Sequence, residues 1–113
     1  MWPDHRLNLS EAAAASDEAE VVRLIGHGED PNIRRDIRPG LLFDHAVRLT
    51  PLEAAVVSQR TVMVERLLGN GALMDAVTWN QLRCLADGYE MPPFLDRRRP
   101  AGAVMRCEAV SVP

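Results

Sequence analysis

Apolar residues recur at helical spacing directly after a Thr-Pro pair in the middle of the chain. Leu52, Ala55 and Val56 stand at positions i, i+3 and i+4, which is the pattern of one helix face. Thr50 precedes them as an N-cap, and Pro51 occupies the first helical position, where its missing N–H costs nothing. The pattern predicts a helix that begins at residue 51.

A second apolar face follows at once in "TVMVERLLGNGA", residues 61–72. Its helical positions are Met63, Val64, Leu67 and Leu68. Gly71 then provides a left-handed residue of the kind that ends many helices. The two segments together predict a hairpin of two short helices.

The same pattern occurs earlier in the chain. "LSEAAAASDEAEVVRLIGHGEDPN" aligns with "LEAAVVSQRTVMVERLLGNGALMD" without a gap, at a constant offset of 52 − 9 = 43 residues. The matched pairs are Leu9 and Leu52, Ala12 and Ala55, Val21 and Val64, Leu24 and Leu67, and Gly28 and Gly71. A constant offset indicates an internal repeat.

These residues resemble the ankyrin family, whose motif opens with Thr-Pro-Leu and continues with an alanine pair, an apolar second helix and a glycine. Thr50-Pro51-Leu52-x-x-Ala55 and Val64-x-x-Leu67-Leu68-x-x-Gly71-Ala72 carry the resemblance, which covers residues 7–87. Glu53 replaces the usual His, and the first copy lacks Thr-Pro. The resemblance implies an all-α, ankyrin-type solenoid of helical hairpins with an extended β-hairpin or loop finger between repeats.

A weaker third copy begins near Thr78, which the pattern assigns as an N-cap. Leu82, Leu85 and Ala86 continue the first-helix pattern, but the prolines of "GYEMPPFLDRRRP" exclude a long second helix. We therefore predict one domain over residues 1–113, with helices near 8–16, 18–27, 51–59, 61–69 and 78–87. Its parts are repeat one (about 7–32), an inserted finger (33–49), repeat two (about 50–75), a degenerate capping repeat (76–96) and a tail (97–113).

The finger, residues 33–49, contains the excess of the 43-residue offset over the family period of about 33. Arg38-Pro39-Gly40 is typical of a turn. Apolar anchors and arginines flank it, and the predicted partner-binding residues are Arg34, Arg35, Arg38, Leu42, Phe43 and His45. A surface loop without a role, or a loop that folds back on the domain, remains the alternative.

Further binding positions come from the family resemblance and from aromatic character. The residues after each alanine pair lie on the concave face of ankyrin-like stacks, which points to Val57 and Ser58. Trp79 is the strongest single anchor by residue type. The alternative for Trp79 is packing against the last helix.

The sequence gives no combination of residues for catalysis, so we predict no enzyme activity, no catalytic residues and no cofactor. The histidines lie far apart and predict no metal site. Cys84 occupies a helical core position, and both it and Cys107 are expected to be reduced thiols. The alternative is a cysteine nucleophile whose base and orienting group come from distant parts of the chain.

Charge and composition restrict the class of partner and the compartment. The net charge is −3, which argues against a nucleic-acid partner. The 13 basic residues are all arginine, which indicates a G+C-rich genome and leads us to expect a bacterial source. With neither a leader nor an apolar stretch of about 18 residues, we expect a cytoplasmic protein with no membrane partner.

The resemblance implies a non-catalytic protein–protein interaction module. Within that class the expectation is a small bacterial inhibitor or immunity-type protein, or an adaptor, that binds one specific protein. The alternative is a self-assembling, homodimeric structural or regulatory protein, because two and a half repeats leave an uncapped apolar end.

Overall fold

The computed structural model describes residues 6–107, and this part of the chain contains six α-helices and one two-stranded sheet. In chain order the elements are α1 (Leu9–Ala14), α2 (Glu18–Gly26), β1 (Arg35–Ile37), β2 (Val47–Leu49), α3 (Pro51–Val57), α4 (Thr61–Gly69), α5 (Ala76–Leu85) and α6 (Met91–Asp96). The prediction of an all-α solenoid is wrong. The fold is mixed α/β, because the finger contains a pair of strands.

The strands form where side chains alternate between the domain and water. On β2, Val47 and Leu49 are half-buried on either side of exposed Arg48, and on β1 the buried Ile37 follows exposed Asp36. This period of two is the pattern of a strand rather than a helix. The strands are antiparallel, with Arg35 opposite Leu49, Asp36 opposite Arg48, and Ile37 opposite Val47.

A turn after β1 has the geometry that its sequence predicts. The Leu41 N–H donates to the Arg38 carbonyl at 3.5 Å, and Gly40 between them has a φ of 98°. Pro39 at the second position and a left-handed glycine at the third are typical of a type II turn. The predicted turn at residues 38–40 is confirmed.

The first helix of each predicted pair begins with the same capping box. The Asn8 side chain accepts from the Glu11 N–H (2.9 Å), and the Glu11 carboxylate accepts from the Asn8 N–H (3.0 Å). Thr50 and Glu53 repeat this exchange at 3.1 and 2.9 Å. Each box satisfies two backbone donors at a helix start. The caps lie 50 − 8 = 42 residues apart rather than 43, because α3 has one extra residue at its beginning.

The 43-residue repeat is also a repeat of backbone conformation. Ser16 and Gln59, which join the two helices of each pair, both have a φ of 61°. Gly28 and Gly71, which follow the second helices, have φ values of 100° and 106°. Since L-residues rarely adopt positive φ, its occurrence at matching positions shows that the two copies share a local fold.

The helices pack through small residues in the first helix of each pair and larger apolar residues in the second. Helix α3 contacts α1, α4 and α5, and α1 contacts α2. Ala12, Ala13, Ala54 and Ala55 are fully buried in α1 and α3, where they allow the backbones to approach closely. The second helices fill the adjoining space with Val21, Leu24, Met63, Val64 and Leu67. These residues form one continuous hydrophobic core.

The degenerate capping repeat differs from its prediction at the start of its first helix, and its second helix is short. Helix α5 begins at Ala76 rather than Thr78, because the Asp75 side chain caps it by accepting from the Thr78 N–H at 2.8 Å. A short second helix, α6, then forms in the proline-rich segment. Pro92 and Pro93 lie in its first turn, where backbone N–H groups have no partner within the helix.

The expectation of two reduced thiols is wrong in this structure. Cys84 is half-buried and forms a disulfide with exposed Cys107, with their Cα atoms 5.4 Å apart. The last described segment is therefore attached to α5.

Across residues 6–107, no helix combines the length and the apolar character needed to cross a membrane.

Candidate functional site at the finger

The base of the finger is part of the hydrophobic core. Ile37 is 1% exposed, and the half-buried Leu41 and Leu42 pack against the core cluster. Leu42, a predicted partner-binding residue, thus contributes to the fold. Its neighbour Phe43 is 41% exposed. The finger therefore folds back through its leucines and presents the residues that follow them.

Arg38 attaches the finger to the start of α1. Its Nε donates to Glu11 Oε2 at 2.8 Å, and its Nη2 donates to Glu11 Oε1 at 3.1 Å. The Arg38 backbone N–H donates to the same carboxylate at 2.9 Å, and Nη2 also reaches the Arg6 carbonyl at 2.7 Å. Glu11 is only 3% exposed, so this ion pair lies at the edge of the core.

The Glu11 carboxyl is held in its charged form by these donors. Burial raises its pKa, but hydrogen bonds from the Arg38 side chain and from the backbone N–H groups of Asn8 and Arg38 lower it by more. The resulting pKa lies below the ordinary value for a glutamate. Glu11 is therefore a negatively charged attachment point for the finger at neutral pH.

Arg34 forms the second attachment, at the other end of β1. Its two terminal nitrogens donate to the two carboxylate oxygens of Glu53 at 2.5 and 3.0 Å. The Glu53 side chain is 8% exposed, whereas that of Arg34 is 46% exposed. A bidentate pair of this kind fixes orientation as well as distance. The finger is thus tied to the first turns of both α1 and α3.

Two further ion pairs lie along the finger. Arg35 Nε is 3.5 Å from Glu29 Oε1, between half-buried side chains. Arg48 pairs with Asp36 at 3.1 Å across the strands, on a face open to water. The predicted role of the arginines was to orient a partner. In the structure Arg34 and Arg38 donate hydrogen bonds to carboxylates of their own domain, whereas Arg35 is ion-paired with Glu29 without a hydrogen bond from its Nε.

We define the tip as residues 43–46, all of which are exposed. The Phe43 and His45 rings stack with their centroids 5.4 Å apart and an interplanar angle of 13°. Asp44 lies between them in sequence, and its Oδ1 is 3.1 Å from His45 Nδ1. Two predicted partner-binding residues, Phe43 and His45, therefore form one exposed aromatic surface.

The other predicted binding residues lie outside the finger, and their side chains are buried or half-buried in the domain. Val57 and Ser58 are half-buried at the end of α3, where Ser58 Oγ donates to the Ala54 carbonyl at 2.8 Å. Trp79 is fully buried, and its Nε1 donates to the Leu95 carbonyl at 2.7 Å. Of the two alternatives for Trp79, the structure therefore has packing against the last helix.

The arginine run of the predicted tail also serves packing. Arg98 pairs with Glu65 and lies over the Phe94 ring, 3.9 Å from its centroid. Arg99 lies over the Trp79 ring at 4.9 Å. Cation–π contacts of this type stabilise both the arginine and the aromatic side chain.

Glu11 and Glu53 were not predicted from the sequence as anchors of the finger. Each stands three residues after an N-cap, the position from which a glutamate closes a capping box. That position was a signal for a fixed carboxylate, but not for its arginine partner. Within residues 6–107, no group of three or more His, Cys, Asp or Glu side chains is placed to hold a metal ion.

No family model matches this chain, and neither the curated proteins nor the solved structures contain a match. The resemblance to the ankyrin family therefore stays a prediction from the motif.

Proposed function

We propose that this protein is a non-catalytic binding module that contacts a protein partner through the tip of its finger. The observation that carries the proposal is the exposed Phe43–His45 stack on a hairpin whose base is fixed by two ion pairs to the domain. An aromatic surface held in one position is the type of feature that dominates protein–protein contacts.

Preorganisation is the physical reason to favour the tip. A loop that must become ordered on binding loses conformational entropy, and this reduces affinity. Here the base is constrained by Ile37 in the core and by the carboxylates of Glu11 and Glu53. In this proposal the arginines position the tip, while Phe43 and His45 make the contact.

The proposed role of the module is that of a small bacterial inhibitor, immunity-type protein or adaptor. Support for this class comes from the arginine-only basic composition and the ankyrin-like motif. Each of these roles needs one preformed contact surface and no reactive group.

The test uses Phe43→Ala with Tyr89→Ala as its matched control. Tyr89 is also an exposed aromatic residue, at 96%, but it lies after α5 rather than on the finger. Proteins captured by the immobilised wild-type chain are identified, and the affinity of the purified partner for each variant is measured by calorimetry. Phe43→Ala should weaken binding about 30-fold, or about 2 kcal/mol, and Tyr89→Ala should leave it unchanged.

Two results would contradict the proposal. One is a captured partner that binds Phe43→Ala as tightly as the wild type. The other is a wild-type chain that captures only itself and forms a dimer by light scattering, which would favour the self-assembly alternative. Unfolding curves serve as the folding control, since truncation of half-exposed Phe43 should change the free energy of unfolding by no more than about 0.5 kcal/mol.

We propose the cytoplasm as the compartment, and the disulfide makes this proposal testable. Thiols are kept reduced in the cytoplasm, whereas outside the cytoplasm the Cys84–Cys107 pair would stay oxidised. Rapid alkylation of intact cells, followed by mass spectrometry, should show both cysteines alkylated under ordinary growth. A fully oxidised pair in unstressed cells would place the protein outside the cytoplasm.

A further inference from the structure

We propose that the Cys84–Cys107 disulfide is a redox-controlled clasp that holds residues 104–107 against α5 and releases them on reduction. These four residues are called the strap. The inference rests on the geometry of α5 and the strap, and it does not depend on the proposed role of the finger.

The strap is attached to one face of α5. Val77, Asn80 and Cys84 follow one another at helical spacing, and Cys84 is bonded to Cys107. One turn earlier, Asn80 brackets the backbone of Arg106: its Oδ1 accepts from the Arg106 N–H at 2.6 Å, and its Nδ2 donates to the Arg106 carbonyl at 3.3 Å. The disulfide and the bracket together fix two consecutive strap residues.

Hydrophobic burial contributes little to this attachment. All four strap residues are exposed, with Val104 at 62% and Met105 at 45%, and the last buried residue before them is Ala103. The two hydrogen bonds between Asn80 and Arg106 are open to water, which competes for the same donors and acceptors. The covalent bond is therefore the main restraint on the strap.

The opposite face of α5 is held independently of the disulfide. Trp79 and Leu82 are fully buried there, and α5 packs against both α3 and α6. Reduction should therefore leave the helix in place. It would uncover the groove between α5 and the strap, whose α5 side is lined by Ala76, Val77 and Asn80.

Exposure of Cys107 provides a route for the redox step. A thiolate of an external dithiol attacks the Cys107 sulfur, forms a mixed disulfide and expels Cys84 as a thiolate, which then takes a proton. The second thiolate of the reductant then attacks the reductant sulfur that is bonded to Cys107. This step expels Cys107 as a thiolate, which is protonated in turn. Two electrons and two protons reach the protein, and the dithiol becomes a cyclic disulfide.

The test measures exchange of backbone amides by NMR in the full chain, with and without dithiothreitol. Reduction should accelerate exchange of the Arg106 N–H at least tenfold, while amides of α1 and α3 keep their rates. The Cys84→Ser/Cys107→Ser double variant is the matched control. Its Arg106 N–H should exchange rapidly in both conditions.

Unchanged protection of Arg106 after reduction would overturn the clasp, because the strap would then be held without the disulfide. Equal acceleration of amide exchange in α1 and α3 would also overturn the proposal, because the disulfide would then stabilise the whole fold. Asn80→Ala separates the two attachments through the ¹⁵N heteronuclear NOE of Cys107. In the oxidised variant this NOE should stay high and fall only on reduction; a low value in the oxidised variant would contradict the proposal.

Discussion

The carboxylate of Glu11 closes the first turn of α1 and holds the finger with the same two oxygens. It accepts from the Asn8 N–H as the second half of the capping box and from both the backbone and the side chain of Arg38. Glu53 closes the first turn of α3 by accepting from the Thr50 N–H, and it also binds Arg34 of the finger. A capping glutamate thus links local helix stability to the position of a distant loop.

Replacing Glu11 with Gln tests this double role. A glutamine can still accept from Asn8, but it loses the charge that binds Arg38. Because the Arg38 side chain is 45% exposed and can turn to water, we expect a cost of about 1–3 kcal/mol rather than that of a fully buried charge. Urea unfolding at neutral pH measures it. An exposed glutamate, Glu90, provides the control: Glu90→Gln should change the free energy of unfolding by at most about 0.5 kcal/mol.

The loss in the free energy of unfolding caused by Glu11→Gln should depend on pH, and the pKa of Glu11 sets the direction. The pKa of Glu11 is lower in the folded chain than the ordinary value for a glutamate, so the unfolded chain binds the proton more tightly. The contribution of Glu11 to stability is therefore complete above the unfolded pKa and is lost as pH falls through the folded pKa. The difference between wild type and Glu11→Gln should shrink over that acidic range. A difference in the free energy of unfolding that stays constant down to the most acidic pH measured would contradict the lowered pKa of Glu11.

At the scale of elements, the helices with clear end signals were predictable. Helix α4 spans the predicted 61–69, and α2 ends one residue before its predicted end, because an apolar face and a following glycine define each. Helix α5 was displaced by two residues, since both Asp75 and Thr78 are suitable N-caps. Helix α6 was missed because its prolines were interpreted only as helix breakers.

The candidate site was predictable in position but not in its bonding. The motif offset located the finger, and the tip residues Phe43 and His45 are exposed, which is one of the two alternatives that the sequence left open. The carboxylates that bind its arginines lie 27 and 19 residues away along the chain, which periodicity cannot connect. The disulfide was missed for a similar reason, because two cysteines 23 residues apart carry no local pattern.

Removing residues 38–43 tests whether the finger is part of the fold. This deletion removes the Arg38 anchor together with Leu41 and Leu42, which pack against the core. We expect a loss of at least about 2 kcal/mol in the free energy of unfolding, since an ion pair and two apolar contacts disappear together. Chemical denaturation measures it.

Phe43→Ala is the comparison for this deletion, because it removes an exposed side chain from the same segment and leaves the anchors intact. A deletion variant as stable as Phe43→Ala would mean that the finger is an independent loop.

At the scale of the whole molecule, α3 is the element on which the stack depends. It contacts α1, α4 and α5, and each residue from Pro51 to Val56 is buried. Fully buried Ala54 and Ala55 occupy this helix because larger side chains would separate the layers.

Ala55→Leu should therefore be costly at a position where leucine is otherwise a good helix former. The added isopropyl group has no free space, and we expect a loss of about 1–3 kcal/mol or more, measured as a lower melting temperature. Ala19→Leu, on the exposed side of α2, is the control and should change stability by at most about 0.5 kcal/mol. Equal melting temperatures for both variants would show that α3 can move to accommodate the larger side chain.

The repeated turn geometry at Ser16 and Gln59 has a consequence for engineering. The segment from residue 18 to residue 60 contains α2, the finger, α3 and its closing turn, and it ends at a point equivalent to residue 17, because 60 − 17 = 43. A duplicate of 18–60 inserted after residue 60 would therefore begin and end at matching junctions. Each inserted copy would add one finger, so the number of contact tips per chain, and with it the avidity for a clustered target, could be set by the number of copies.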